Sequence, residues 1–159
     1  MSPTRQRVTP CTIQDLIDLV GEELGPTEWH TLTQIDINTF AEITGDHQWI
    51  HTDPHRAAEG PFGQTIGHGL FTLSLGPAFT EELMAFDGFA HSLNYGYNKV
   101  RFPQARPVGS RVRMRATISD VSPRDGGSAL VTITQTYEAQ GIDKPVCIAE
   151  SLAFFTQSA

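Results

Sequence analysis

Leu70-Phe71-Thr72-Leu73-Ser74-Leu75-Gly76-Pro77-Ala78-Phe79-Thr80-Glu81-Glu82-Leu83-Met84 is the stretch on which the fold turns. Leu70, Phe71, Leu73, Leu75, Ala78, Phe79, Leu83 and Met84 leave little polar surface, as on a helix enclosed by other structure. Gly76-Pro77 predicts a bend within it. What encloses it follows in the chain. From residue 91 the apolar period becomes two, in four strand-like runs over 91–102, 111–121, 129–139 and 146–155, separated by turn clusters at 103–109, 122–127 and 140–145. Short connections favour antiparallel pairing of successive strands, because parallel pairs need long crossovers. A buried helix followed by such a sheet predicts an α+β fold in which the sheet curls around the helix.

Upstream the chain reads as helical and loop-rich. Thr12 opens a short amphipathic helix with Ile13, Leu16, Ile17 and Val20 on one side, ending before Gly25-Pro26, and residues 29–33 read as a short strand. Next, Asp36 reads as a capping residue, Ile37, Phe40 and Ile43 lie at helical spacing, and Gly45 stops the helix. Asp46 therefore begins an irregular segment. Asp53-Pro54 reads as a second cap with proline at the first helical position, opening a brief turn through Ala58 before Gly60-Pro61 interrupts it.

With 159 residues, 39% of them hydrophobic, and no internal repeat, low-complexity tract or linker, the chain is expected to form a single domain over 1–159. No apolar run approaches the roughly 20 residues needed to span a bilayer. The two arginines near the N-terminus, Arg5 and Arg7, have no apolar segment behind them, so no secretory signal is expected. Cys11 and Cys147 form no metal or redox spacing, and a cytoplasmic protein with reduced thiols is the simplest reading. A net charge of −7 argues against nucleic acid as the main partner. Yet six of the eleven basic residues, Lys99, Arg101, Arg106, Arg111, Arg113 and Arg115, fall within seventeen positions. Arg111, Arg113 and Arg115 alternate with Val112 and Met114, so on a strand they share one face. That face is either simply solvated or a local anion site, such as one for the phosphates of a nucleotide-tailed substrate.

Asp46 and His51 stand five residues apart on backbone held by a helix end, where a carboxylate and an imidazole can share one water molecule. His47, His51 and His55 have the spacing of a helical metal site, but Asp53-Pro54 interrupts the helix they would need, and no metal is expected. His68 reads as a hydrogen-bonder that fixes the loop. Tyr95 and Tyr97, two apart on a strand, are expected to share a sheet face as core or dimer contacts.

The run Phe40-Ala41-Glu42-Ile43-Thr44-Gly45-Asp46, with His51 and Asp53 downstream and Ile66-Gly67-His68-Gly69-Leu70 beyond, resembles the MaoC-like hydratase/dehydratase family. Asn94-Tyr95-Gly96-Tyr97-Asn98-Lys99-Val100-Arg101-Phe102-Pro103 resembles its branch of single-domain proteins that includes nodulation protein N. The likeness extends from about residue 36 to 115. It implies a hot-dog fold, Asp46 and His51 as the catalytic pair, and the Gly69 amide as oxyanion donor. It also implies reversible hydration of trans-2-enoyl thioesters of coenzyme A or acyl carrier protein to (3R)-hydroxyacyl products, without a cofactor, in a homodimer paired through its sheets. Gln48-Trp49 stands where the family commonly has Asn-Pro. Gln48 retains a donor and an acceptor, and joins Arg111 and Arg113 as a candidate substrate-binding residue.

The chemistry can be argued from the residues as well. Adding water across a conjugated thioester needs a base for the water, an acid for the α-carbon and donors for the enolate oxygen. Acid and base roles are each worth on the order of 10²–10⁴ in rate. Asp46 is expected to act as base and His51 as water-orienting acid, or the reverse. Gly69, at the start of the apolar helix, can supply the donor. Leu73, Pro77 and Phe79 are candidates to line an acyl tunnel between helix and sheet. The same fold also hosts thioesterases, and a noncatalytic acyl-thioester-binding subunit is a third reading.

Overall fold

In the strand Ser128–Ala139, the alternate residues Ala129, Val131, Ile133, Gln135, Tyr137 and Ala139 are buried, forming the wall of the core against which the helices pack. The computed structural model describes residues 7–158, so residues 1–6, part of the N-terminal segment read above, lie outside the described residues. In chain order the elements are α1 (Ile13–Asp18), β1 (Glu23–Leu24), β2 (His30–Thr31), α2 (Gln34–Thr44), α3 (Trp49–Thr52), α4 (Pro54–Ala58), β3 (Ile66–Gly67), α5 (Gly69–Ser74), α6 (Gly76–Leu83), β4 (Phe89–Arg101), β5 (Arg106–Pro107), β6 (Arg111–Arg124), β7 (Ser128–Ala139) and β8 (Cys147–Gln157). Strands run β1-β6-β7-β8-β4 across the main sheet, β2 also pairs with β6, and β3 and β5 form a separate ribbon, all antiparallel. With α5 and α6 against its concave face, this is the hot-dog arrangement. Phe79, Met84, Met114, Ile118, Tyr137 and Phe155 are among its fully buried side chains. Among the described residues no helix is long and apolar enough to cross a membrane.

The four long strands lie close to the predicted runs, but the first does not pair with the next. β4 pairs with β8 instead, at the far edge of the sheet. The reason lies in the connection between β4 and β6: its β5 segment is held by β3, with Ile66 opposite Pro107 and Gly67 opposite Arg106, and so carries the chain across the sheet. Two expectations about caps and faces also change. Thr33, not Asp36, caps α2; Asp36 is the third helical residue of a capping box in which its carboxylate accepts from the Thr33 backbone N–H. Tyr95 and Tyr97 do not share a face, because a register shift between Asn94 and Gly96 leaves Tyr95 without a ladder partner. Tyr95 turns outward onto Phe154, whereas Tyr97 borders a small inner cavity with Thr80 and Gln135.

The long apolar helix is broken where Gly76-Pro77 predicts. Leu75 leaves the helical run, and Pro77 sits in the first turn of α6. Glycine is required at 76, since a Cβ there would lie 2.5 Å from the Tyr137 hydroxyl. The enclosure is one-sided: Leu73 and Phe79 are core residues, while Leu70, Pro77 and Ala78 are exposed.

Candidate active site

Gly45 ends α2 in the left-handed region at φ 78°, where glycine carries no Cβ penalty, and the chain leaves the helix with Asp46 facing outward. Three side chains then pin the irregular segment. His68 Nε2 donates to the Asp46 carbonyl at 2.9 Å, the Thr52 hydroxyl donates to the His47 carbonyl at 3.1 Å, and Gln34 Nε2 donates to the His51 carbonyl at 2.8 Å. The expected loop-fixing role of His68 is therefore met by a direct hydrogen bond. Trp49 occupies the first position of α3, a place that proline also tolerates, so its presence leaves the short helical turn intact. Its ring packs under the Arg56 guanidinium at 4.5 Å.

These constraints bring Asp46, His51 and His68 together, with one ligand-type atom from each within 4.8 Å of the others. Asp46 is exposed, at 54% of its side chain, whereas His51 and His68 are buried and stack at a ring separation of 3.8 Å. His51 Nδ1 lies 2.7 Å from the Ile66 carbonyl. A carbonyl only accepts, so the proton sits on Nδ1 and Nε2 presents a bare lone pair. Burial pushes the His51 pKa below its ordinary value; the bond to Ile66 and the Asp46 charge oppose this, and His68 adds to it. At neutral pH the imidazole is uncharged. A carboxylate and the bare nitrogen of a neighbouring imidazole can each accept one hydrogen of a single bridging water. The same spacing would suit a cation, but His51 Nδ1 and His68 Nε2 are both committed to carbonyl oxygens. Among the described residues that leaves the Asp46 carboxylate, His51 Nε2 and the buried, unpartnered His68 Nδ1 uncommitted.

His51 also borders a cavity of about 330 Å³ that includes Gly67, Gly69, Thr72, Phe102 and Arg106. A Cβ on Gly69 would lie 2.8 Å from the Phe102 ring, and one on Gly67 would lie 2.7 Å from Leu32, so both positions are held to glycine by close approach. No acceptor among the described residues takes the Gly69 N–H. The helix that Gly69 opens has only six residues, so its donor capacity rests on this free amide more than on a macrodipole.

The remaining candidates lie elsewhere. Arg111 and Arg113 project from the outer face of β6 and do not line this cavity. Arg113 Nε bonds Glu138 at 2.9 Å and its guanidinium stacks 4.4 Å over Trp29, while Arg111 reaches Gln140 and the same ring. Gln48 is exposed; its carbonyl accepts from His51 N–H, and its side chain bonds nothing among the described residues. Sequence reasoning missed two features. The His51–His68 stack joins residues seventeen positions apart, which no local pattern encodes. Arg106 was counted with the basic cluster, although one signal sets it apart: it is the only basic residue in the 103–109 turn region.

The sequence model of the family described as MaoC like domain matches residues 16–140. The chain belongs to the MaoC-like domain family. Among MaoC-like relatives, the 3-hydroxyacyl-thioester dehydratase Z of Mycobacterium tuberculosis is 47% identical over 141 residues, covering 89% of this chain and 93% of that protein. Nodulation protein N of Rhizobium meliloti is 39% identical over 151 residues, covering 89% of each. A crystal structure of a MaoC-like dehydratase from Rhodospirillum rubrum matches with a TM-score of 0.74 at 20% identity, over 91% of this chain and 97% of that one, a likeness of fold.

Proposed function

We propose that this chain catalyses reversible hydration of trans-2-enoyl thioesters to 3-hydroxyacyl thioesters, with Asp46 and His51 as the catalytic pair. One observation carries the reading: a buried imidazole whose Nε2 is left bare, and which brings a ring nitrogen within 4.8 Å of an exposed carboxylate oxygen, stands beside a cavity lined by Gly69, whose N–H is unpartnered. The naming of a relative 47% identical to this chain as a 3-hydroxyacyl-thioester dehydratase supports it.

Water would donate one hydrogen to Asp46 and the other to His51 Nε2, leaving its oxygen aimed at C3 of the alkene. As the C3–O bond forms, the C2=C3 π pair moves onto the thioester carbonyl oxygen, which the Gly69 N–H receives. Asp46 takes the water proton and returns it to C2 as the enolate collapses. His51 has no Nε2 proton at rest, so it orients the water by accepting from it and the acid step falls to protonated Asp46. One oxyanion donor typically contributes roughly 3–4 kcal/mol to such a transition state. The (3R) configuration and the carrier, coenzyme A or acyl carrier protein, follow from the family resemblance. A homodimer is proposed on the open edge of β4, a thirteen-residue strand that among the described residues pairs only with β8 and that exposes Leu93, Tyr95 and Tyr97.

The test is an assay with crotonyl and longer enoyl thioesters of coenzyme A, following loss of conjugation and release of free thiol in parallel. Loss of conjugation without thiol is expected. Thiol release from saturated acyl thioesters would replace the hydratase with a thioesterase, and binding without turnover would leave an acyl-binding subunit.

A further inference from the structure

We infer that Arg106 selects the acyl group, favouring thioesters whose acyl chain carries a carboxylate close to the reacting double bond. This specificity rests on the hydratase reading; the anion site itself rests on geometry. Arg106 is 3% exposed and lines the cavity that contains His51 and Gly69. Its guanidinium is poorly satisfied. Nη1 reaches the Thr72 hydroxyl and Nη2 the His30 carbonyl, each at 3.5 Å, and Nε has no partner among the described residues. None of the described carboxylates forms an ion pair with it. Asp36 acts on it only at longer range, and the Asp36 carboxylate is engaged by Thr33. Burial lowers the Arg106 pKa to about 10, so the group stays cationic at neutral pH. The other titratable groups around it, His30, His51 and His68, offer no compensating negative charge. A buried, incompletely bonded cation is strongly unfavourable unless an anion completes it.

Two parts of an acyl thioester of coenzyme A carry anionic oxygen: the nucleotide phosphates and any carboxylate on the acyl chain. The cavity favours the second source. Arg106 shares about 330 Å³ with His51 and Gly69, whereas the phosphates stand at the far end of the pantetheine arm from the reacting bond. A single fork-shaped guanidinium also matches one carboxylate in bidentate fashion better than a diphosphate. Phe62, Ile66 and Phe102 supply apolar wall for the few carbons between that carboxylate and the alkene.

The experiment compares kcat/KM for an enoyl-CoA bearing a terminal carboxylate with that for its methyl ester, in the unmodified protein, Arg106→Met and Arg106→Lys. The unmodified protein should prefer the carboxylate by at least about tenfold, and Arg106→Met should lower that ratio by about 10- to 100-fold. Arg106→Lys, which keeps the charge but not the fork, should fall between them. Because the ratio is read within one preparation, it does not depend on how much of a variant folds. Equal use of both substrates by the unmodified protein, or an unchanged ratio in Arg106→Met, overturns the proposal. If neither substrate is turned over, the hydratase reading fails separately, and calorimetric binding of saturated CoA thioesters with and without the carboxylate decides the anion site by the same ratio. Free coenzyme A is the control: if Arg106→Met weakens it as much as the carboxylated thioester, the anion is a phosphate and the proposal is wrong.

Discussion

Arg113 and Arg106 lie seven positions apart in one basic segment and meet opposite surroundings. On the outer face of β6, Arg113 is bonded to Glu138, stacked on Trp29 and half-exposed. In the cavity wall, Arg106 is buried with two long hydrogen bonds and a free Nε. The first group is complete within the chain; the second is not. The same contrast separates Glu138, which accepts from both Arg113 and Arg115, from Asp46, whose exposed carboxylate has, among the described residues, no ion pair closer than 3.9 Å, to His68 Nε2, and lies beside the His51 ring. Clustered charge marks a surface, whereas an unfinished set of polar contacts marks a place where a ligand completes it.

The strongest way to break this contrast is Asp46→Asn. Removing the carboxylate should lower hydration by about 10²–10⁴ while the melting midpoint stays close to that of the unmodified protein, because the side chain is exposed. Initial rates and thermal melts check both halves, and full activity rules out the assigned base. Next comes His68→Leu, which frees the Asp46 carbonyl. A loosened loop should reduce kcat up to about 10²-fold with little change in KM, and His68→Gln, which keeps an N–H donor, should recover part of the loss.

A smaller effect is expected from pH. The folded pKa of His51 lies below its ordinary value of 6.5, so the acid limb of kcat/KM should fall below pH 6.5. The sign for stability follows from the same shift. Above pH 6.5 the imidazole is neutral in both states and its contribution is fully present; as pH falls toward the folded pKa the unfolded chain binds the proton first, and that stability is lost. Nuclear magnetic resonance of the His51 ring protons should show this titration, moved lower still in Asp46→Asn, where the opposing charge is gone. A His51 titration above 6.5 would contradict the buried neutral imidazole. The smallest effect is expected on the outer face. Glu138→Gln loosens the bonds to Arg113 and Arg115 and should cost about 0.5–1 kcal/mol in chemical denaturation, with kcat/KM unchanged. A loss of substrate affinity there would instead make the Arg111 and Arg113 face part of the substrate site.

Much of this was legible in the residues. The apolar helix with its Gly76-Pro77 break, the four long strands, the stop at Gly45 and the Asp53-Pro54 cap all depend on near neighbours in the chain, although burial alternates only in β6, β7 and β8 and not along β4. So did the nearness of Asp46 and His51, which one loop brings together. Pairing of β4 with β8 was not legible, because short connections argue for successive partners and only the β3–β5 ribbon redirects the chain. Nor was the bulge at Tyr95, which one unpaired residue creates and which sends two tyrosines to opposite faces.

By itself, then, the order of residues determined which segments are helix or strand and which acid and base share a loop, since each depends on contacts a few positions apart. Tertiary structure alone decided that His68 stacks on His51 and holds the Asp46 carbonyl, that Phe102 crowds Gly69, and that Arg106 rather than Arg111 or Arg113 lines the cavity. Burial is a property of the packed molecule, and the protonation of His51 and the unfinished bonds of Arg106 exist only once water has been excluded around them.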